Sequence, residues 1–287
     1  FDEEMGFGAV RDALAVNTAS ADLQSVPFET LLIGQDRVNG HGVGGDNELG
    51  AEIMQNDIDQ VMTALSSRIT AETESIFVVA GLGGGTGSGG APALVSRLTR
   101  VYDIPVYALG VLPGSDEGAL YQVNAGRSLK TLAREADAVL LIDNDAWKAS
   151  GESMSEGYEA INNNIARRVG LLLAAGEATE GVGESVVDSS EIINTLRSGG
   201  IASLGYASTP AAEDPAENIT VITSTTRNAV LTGSSLPGAT NADSALLVIA
   251  GQPERISRKG VEKARKWGET ETDSMQVRGG DFPIDSS

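Results

Sequence analysis

A glycine-rich segment in the first half of the chain has residue types that could bind an anion. From Gly81 to Gly90 the side chains are those of Leu82, Thr86 and Ser88. Glycine has no Cβ, so backbone N–H groups can approach a ligand closely there, and the two hydroxyls can also hydrogen-bond to it. Phosphate is the usual occupant of such a loop when a helix begins at its end. The segment therefore predicts a phosphate site.

The segments on either side predict the elements that position this loop. Ile76 to Ala80 is an apolar run long enough for one fully buried strand of a parallel sheet. After the loop, Pro92 is expected near the first helical position, and apolar residues follow at helical spacing from Leu94 to Val101. A flexible linker is the alternative, but linkers are not normally framed by a buried strand and an amphipathic helix.

The loop differs from two common phosphate-binding motifs. A Walker loop needs a Lys before its Ser or Thr, and no Lys occurs between Phe1 and Arg127. The dinucleotide pattern G-x-G-x-x-G is present at Gly85, Gly87 and Gly90. However, the acidic ribose ligand expected about 20 residues later is missing, because the next strand runs from Val106 to Leu112. A dinucleotide-dependent oxidoreductase therefore stays as the weaker alternative.

The segment GGGTGSG, Gly83 to Gly89, resembles the signature loop of the tubulin/FtsZ family. Five further segments resemble, in family order, its second, third, fifth and sixth nucleotide loops and its catalytic loop: AVNTASADL (Ala15 to Leu23), GVGGDNELG (Gly42 to Gly50), LPGSDEG (Leu112 to Gly118), IDNDAW (Ile142 to Trp147) and VVDSSEI (Val186 to Ile192). The C-terminal portion is most similar to the CetZ branch of the family, which is found in haloarchaea.

The resemblance implies an α/β fold, with a Rossmann-like GTPase domain that includes a central helix and a smaller α+β C-terminal domain. We place these domains at residues 1–178 and 179–287. In the family the first domain opens with a central strand and a first phosphate loop, so we expect residues before Phe1 to be missing, and the end at Ser287 to be early. The implied ligands are GTP or GDP and Mg²⁺, and the implied partner is the same protein in a head-to-tail filament.

The resemblance also assigns nucleotide contacts along the first domain. Glu117 takes the ribose-contacting position, and Tyr121 stands where the FtsZ branch often has Arg, so it cannot supply positive charge. Asp46 has two equally favoured roles, as a ligand of Mg²⁺ through water or as the cap of an amphipathic helix predicted from Leu49 to Ile69. The other implied contacts are Asn17, Thr18, Gly44, Gly45, Gly83, Gly84, Gly85, Thr86, Gly87, Ser88, Gly89 and Asn144.

The longest predicted helix runs from Ser153 to Gly176 and resembles the family's central helix. Tyr158 and Asn162 are four residues apart and share one face of it. The resemblance makes Tyr158 the ring stacked on the base and Asn162 the amide that reads it. An Asn amide offers one acceptor and one donor, which can meet guanine's N–H and O6 together. Without the resemblance, a core Tyr and a buried, satisfied Asn would be the simpler interpretation.

Asp188 and Glu191 are three residues apart, which by spacing alone indicates an N-cap pair for a short helix. The resemblance instead makes them the acids that complete the hydrolytic site. They lie beyond the end of a helix of 24 residues, or about 36 Å, and Asn162 lies near its start. We therefore expect them to act on a neighbouring subunit's nucleotide. The alternative, a scaffold that binds nucleotide without hydrolysing it, would not need this pair.

Composition limits the classes of partner. The chain has 40 Asp and Glu against 20 Lys and Arg, a net charge of −20, which repels nucleic acid and anionic lipid. Five of the 20 basic residues are Lys, a bias that resembles halophile proteins. There is no cysteine, and no apolar run is long enough for a transmembrane segment. We expect a cytoplasmic protein. The resemblance further implies that it forms a cytoskeletal polymer that influences cell shape.

The C-terminal third of the chain predicts an α+β unit. Strand-like runs occur at Ile201 to Tyr206, Ile219 to Ser224 and Ala245 to Ile249. Ser257 to Trp267 predicts a basic helix, which is either a contact surface for an acidic neighbour or, more simply, a solvated face.

Overall fold

The computed structural model describes residues 10–147, 154–177, 187–238, 240–272 and 276–283. These residues form two compact units. The first unit is Arg11–Trp147 with Gly199–Ala202, and the second contains the remaining described residues. The helix Met154–Glu177 belongs to the second unit, whereas our sequence boundary groups it with the first, so the boundary at residue 178 stays a prediction.

Parallel strands make up the sheets of the first unit. In the described part of the chain, β1 (Leu14–Asn17) pairs with β2 (Glu29–Leu32) in a sheet of their own. A second sheet has the order β3-β4-β5-β6, and its strands are Ile76–Gly81, Val106–Leu112, Ala138–Asp143 and Ile201–Ala202. All of these pairings are parallel, as predicted for an α/β domain.

The core of the first unit is centred on β4 and β5. The residues from Val106 to Leu109 and from Ala138 to Ile142 are buried, so both strands are covered on both faces, as expected for parallel strands. Our prediction that the run before the glycine loop is also fully buried is wrong. Among the described residues β3 pairs with β4 alone, and Val79 on this edge strand is 58% exposed.

The helices of the first unit differ from the prediction at two places. They are α1 (Ser20–Leu23), α2 (Gln35–Val38), α3 (Asn47–Asn56), α4 (Ile58–Ser66), α5 (Gly85–Val101) and α6 (Ala119–Glu135), with a 3₁₀ helix at Asn144–Trp147. α5 begins at Gly85, and Pro92 lies inside it instead of at its start. The amphipathic helix predicted from Leu49 to Ile69 is broken at Asp57, whose carboxylate accepts a hydrogen bond from the Gly34 N–H at 2.6 Å.

The second unit combines four helices and a parallel strand pair within its described residues. The helices are α7 (Met154–Glu177), α8 (Ser189–Leu196), α9 (Asn218–Leu231) and α10 (Arg258–Glu271), with a 3₁₀ helix at Pro253–Arg255. β7 (Ala245–Gly251) pairs with β8 (Val277–Pro283). The central helix, β7 and the basic helix thus form where the sequence predicted them.

The predicted strand from Ile219 to Ser224 is wrong, because these residues belong to α9. Its β-branched residues favour strands, but such propensities are weak and depend on packing. The buried residues Asn218, Ile222 and Thr226 recur every four positions and therefore share one face of the helix. Ile222 packs closely on α10, where a Cβ added at Gly260 would come within 2.9 Å of its Cδ1. Tertiary packing thus decides the conformation of this segment.

A buried arginine links α7 to the segment before β7. Arg168 is 7% exposed, and burial lowers the pKa of its guanidinium. Its Nη1 donates to the Asn164 carbonyl and its Nη2 to the Gly233 carbonyl, both at 3.1 Å. The guanidinium carbon also lies 5.5 Å from the centre of the Tyr206 ring, within the range of a cation–π interaction.

We expect Arg168→Met to lower the free energy of unfolding by about 1.5–3 kcal/mol, because it removes the hydrogen bonds of a buried charged donor while keeping an apolar stem. Denaturant unfolding in high-salt buffer measures the change. Arg167→Met is the matched control, since Arg167 is exposed on the same helix. Equal stability of the two variants would show that the Arg168 contacts contribute nothing.

Candidate functional site

The N-terminus of α5 is open to a ligand. Gly84 is its N-cap, with extended backbone and no side-chain cap. A Cβ placed at Gly81 or at Gly84 would meet no atom within 4 Å, so the side of each residue where a Cβ would stand faces open space. The first turn of a helix leaves its N–H groups without intrahelical partners, and the helix dipole adds partial positive charge. This end of α5 therefore has the features of an anion site.

The other loop glycines have a different role from the one we inferred. A Cβ at Gly85 would lie 2.4 Å from Val43 Cγ2, and one at Gly87 would lie 2.4 Å from the Gly81 carbonyl oxygen. At Gly89 it would lie 2.1 Å from the Asn47 carbonyl oxygen. The missing side chains at these positions make room for the protein's own residues, not for a ligand. Their backbone contacts with phosphate stay predictions.

The second loop is joined to the signature loop by a pair of hydroxyl groups. Thr18 is fully buried, and its Oγ1 lies 2.7 Å from Thr86 Oγ1. The side-chain oxygen of Asn17 accepts hydrogen bonds from the Thr18 N–H at 2.7 Å and from the Ala19 N–H at 3.2 Å. The structure thus brings Asn17, Thr18 and Thr86 together, as the resemblance implies.

The third loop turns through Gly44 and Gly45, whose φ angles of 58° and 84° favour glycine. Asp46 follows and caps α3, with its Oδ1 accepting from the Leu49 N–H at 3.0 Å. The capping role of Asp46 is therefore observed. A water-mediated bond from Asp46 to Mg²⁺ stays a prediction. Its carboxylate is suitable, because Mg²⁺ in nucleotide sites is bound by phosphate oxygens, waters and one or two carboxylates. Within the described residues, no group of three or more His, Cys, Asp or Glu side chains is placed to hold a metal ion.

Two asparagines that sequence reasoning missed hold these loops together. Asn124 on α6 is 1% exposed, and its Nδ2 donates to the Gly45 carbonyl at 2.8 Å and to the Gly83 carbonyl at 2.9 Å. Asn47, the first residue of α3, donates from Nδ2 to Ser88 Oγ at 2.8 Å. The one sequence signal for Asn47 was its place directly after Asp46, and nothing in the pattern of α6 marked Asn124.

The fifth and sixth loops also meet at the carboxyl ends of β4 and β5. Glu117 Oε1 accepts from the Gly114 N–H at 2.7 Å, and Asp145 Oδ2 accepts from the Ser115 N–H at 2.8 Å. Tyr121 is 38% exposed and lies beside the signature loop. A Cβ added at Gly83 would be 3.3 Å from the Cβ of Tyr121.

Asn144 is a buried residue with an unused acceptor. It is 7% exposed, and its Oδ1 has no hydrogen-bond partner among the described residues. A buried polar atom without a partner is costly. A donor on a bound ligand would satisfy it.

The predicted base-reading residues lie in the second unit. Asn162 is exposed on α7, and Tyr158 lies four residues before it on the same helix. The side chain of Tyr158 lies outside the described residues, and so does Ser153, the predicted first residue of this helix. Their roles toward a base stay predictions.

Asp188 is the N-cap of α8, as its spacing alone indicated. Its Oδ1 accepts from Ser190 Oγ at 2.6 Å and from the Glu191 N–H at 3.0 Å. These hydrogen bonds lower the pKa of Asp188. The stabilisation from this cap is therefore fully present at pH values above the ordinary pKa of Asp, and it is lost as the pH falls through the lowered pKa of the folded state. Glu191 is half-buried in the first turn. The catalytic role of both acids stays a prediction.

An apolar cluster fixes α8 against the C-terminal part of α7. Ile192 packs in it with Ala175 and Val187, and the partly buried members are Leu172, Leu196, Leu246 and Val248. Asn162 precedes Ala175 by 13 residues, or about 20 Å along the helix. The two acids are thus held far from Asn162 within the second unit.

Within the described residues, no helix has both the length and the apolar character needed to cross a membrane.

Comparison with known proteins gives the family. Residues 2–152 match the model of the tubulin/FtsZ family GTPase domain, and residues 151–287 match that of the C-terminal domain of tubulin-like CetZ. Tubulin-like protein CetZ2 from Haloferax volcanii is 74% identical over 286 residues, which are 100% of this chain and 79% of that protein.

Solved structures agree with these matches. CetZ2 from Haloferax volcanii, solved as a GTPgS-bound protofilament, superposes with a TM-score of 0.95 at 71% identity, covering 100% of this chain and 84% of that one. CetZ1 from the same organism, solved as a GDP-bound monomer, gives a TM-score of 0.91 at 50% identity with the same coverage. The predicted fold is confirmed, and the chain belongs to the tubulin/FtsZ family with a C-terminal domain of the CetZ type.

Proposed function

We propose that this protein binds GTP and GDP, polymerises head to tail and hydrolyses GTP at the contact between subunits. The observation that carries this proposal is the meeting of loops at the uncapped start of α5, where Thr18 Oγ1 lies 2.7 Å from Thr86 Oγ1. The relatives support it, since CetZ2 was solved as a GTPgS-bound protofilament and CetZ1 with GDP.

Each part of the nucleotide has residues suited to it. The phosphates face the N-terminus of α5, with Gly84 and Thr86 as hydrogen-bonding groups. The predicted contact of the Ser88 hydroxyl is not part of this proposal, because that buried hydroxyl accepts from Asn47 and donates to the Gly84 carbonyl. Asp46 would hold Mg²⁺ through water, and the ion would neutralise charge on the phosphates. We assign Glu117 and Tyr121 to the ribose, Tyr158 to stacking on the base and Asn162 to reading the base. The unused acceptor of Asn144 fits a donor on the same nucleotide.

Hydrolysis needs a water placed in line with the bond to the γ-phosphate. Asp188 and Glu191 are the side chains we assign to this task, on the nucleotide of the next subunit. Their distance along α7 from Asn162 favours action in trans. Phosphoryl transfer depends mainly on positioning and electrostatics, so neither acid is required to take up a proton.

A scaffold that binds nucleotide without hydrolysing it is the second candidate. It is favoured by the observed capping role of Asp188, which explains that residue without catalysis. Because the chain belongs to the tubulin/FtsZ family, the G-x-G-x-x-G pattern no longer favours a dinucleotide-dependent oxidoreductase. A cytoplasmic polymer that influences cell shape is our proposal for the cellular role, supported by the family alone.

Base recognition tests the nucleotide site. We expect Asn162→Asp to weaken GTP binding by about 1–3 kcal/mol, because a second acceptor would face guanine O6 where a donor had been. This corresponds to a GTP Kd raised about 5- to 150-fold, measured by titration in high-salt buffer. Asn163→Asp adds the same charge at the adjacent exposed position and should leave the Kd unchanged. An unchanged Kd in Asn162→Asp would rule out base recognition by this side chain.

A further inference from the structure

A cavity of about 510 Å³ runs along α5 in the first unit. It lies over one face of that helix, from Ser88 to Arg100, with α3 and α4 lining one side and α6 the other. The twelve helical steps from Ser88 to Arg100 give it a length of about 18 Å. This volume lies within the usual range for small-molecule sites.

The cavity is positively charged although the chain is strongly acidic. Its lining contains Arg97, Arg100 and Arg127, against one acid, Glu135, on a chain whose net charge is −20. The charge of this lining is therefore opposite to that of the chain as a whole. A guanidinium binds carboxylate and phosphate groups through paired hydrogen bonds.

The arginines are available to a ligand. Arg127 pairs with Glu48 at 3.2 Å and Arg97 with Asp59 at 3.6 Å, and these two acids are 83% and 90% exposed. Exposed ion pairs of this kind are weak, so a ligand can replace them. Arg100 makes no ion pair with any residue that the structure describes.

A buried hydroxyl in the lining also lacks a partner. Ser128 is 2% exposed, and its Oγ makes no hydrogen bond within the described residues. Ser128 lines the cavity, so its hydroxyl can donate a hydrogen bond to an oxygen of a bound anion. We propose that this cavity is a binding site for a small polyanion that carries carboxylate or phosphate groups.

The arginines of the site are remote from the start of α5, although the other end of the cavity reaches Ser88 and Gly89 of the signature loop. Arg100 follows Gly85, the first residue of α5, by 15 positions, or about 22 Å. An anion at the start of the helix therefore cannot contact Arg100. The proposal does not depend on GTP binding.

Calorimetric titration of the GDP-saturated, Mg²⁺-free protein with citrate and with pyrophosphate tests the proposal, at constant ionic strength. We expect 1:1 binding of at least one probe, weakened tenfold or more by Arg100→Gln and by Ser128→Ala. The tighter probe identifies the ligand as a carboxylate or a phosphate. Arg134→Gln is the matched control, because Arg134 is exposed on α6 and does not line the cavity, and it should bind like the unchanged protein.

Three results would overturn the proposal. They are no binding of either probe, equal weakening by Arg100→Gln and Arg134→Gln, or binding that Thr86→Val abolishes and Arg100→Gln leaves intact. The last would place the anion at the nucleotide loop. Thermal unfolding confirms that each variant is folded, and GDP affinity, measured separately, tests the nucleotide site on its own.

Discussion

Glu191→Ala is expected to bind GTP normally and to hydrolyse it about 100-fold more slowly or worse, the size of loss expected when a reacting water is misplaced. The fold should tolerate the change. Asp188 caps α8 through the backbone N–H of Glu191, which Ala retains, and Ile192 still packs against Ala175 and Val187. Phosphate release at high protein concentration and GTP affinity, both in high-salt buffer, give the two readouts.

Asp188→Asn separates capping from catalysis. Asn is as good an N-cap as Asp, so α8 should remain folded while the negative charge is lost. A normal rate in Asp188→Asn together with a slow rate in Glu191→Ala would assign hydrolysis to Glu191 and leave Asp188 as a cap. Normal rates in both would favour the scaffold.

Mixing two inactive variants tests whether the acid acts on a neighbour. The second variant, Thr86→Val with Asn162→Asp, should not bind nucleotide but keeps the α8 acids. Added to Glu191→Ala, it should restore part of the activity, because its intact α8 meets the GTP held by the first variant. A head-to-tail contact repeats without closing and so makes a filament, and the GTPase rate per subunit should rise with concentration. Co-assembly without any gain in activity would refute catalysis in trans through Glu191.

The sequence predicted those elements that its own residues determine. β4 runs from Val106 to Leu112 as predicted, because a continuous apolar run between breakers is a strong signal for a buried strand. α7 also forms over nearly the predicted range, because its apolar stripe has a helical period. The segment from Ile219 to Ser224 failed, since local propensity favours a strand and only the packing of Ile222 on α10 reveals the helix.

The candidate site was predictable to a similar degree. The order of the loops, which resembles that of the family, identified Thr18 and Thr86, and the structure places their hydroxyl groups in hydrogen-bonding contact. Asn124 was not identifiable, because its hydrogen bonds reach Gly45, 79 residues away, and Gly83, 41 residues away. Such contacts depend on the packing of α6 beside the loops, which no local pattern encodes. The steric role of Gly89 could not be predicted for the same reason, since it depends on the approach of α3 to α5.

That approach gives the last prediction. Gly89→Ala should lower the free energy of unfolding by about 3 kcal/mol, in the upper range for overpacking. Its Cβ would lie 2.1 Å from the Asn47 carbonyl oxygen and 2.6 Å from the Ala51 nitrogen. Backbone atoms cannot rotate away as a side chain can, so α3 and α5 must separate. Because Asn47 also donates to Ser88 Oγ, the same separation should weaken nucleotide binding in whatever protein remains folded.

Gly126→Ala makes the same chemical change with the opposite expected result. Gly126 is exposed inside α6, and a Cβ there would meet no atom within 4 Å. Replacing Gly by Ala in an open helical position usually raises the free energy of unfolding by about 0.5–1 kcal/mol, because Gly loses more backbone entropy on folding. Denaturant unfolding of both variants in high-salt buffer measures the difference. If Gly89→Ala proved as stable as Gly126→Ala, α3 and α5 could not be packed backbone against backbone, and the loops would have to be held together in another way.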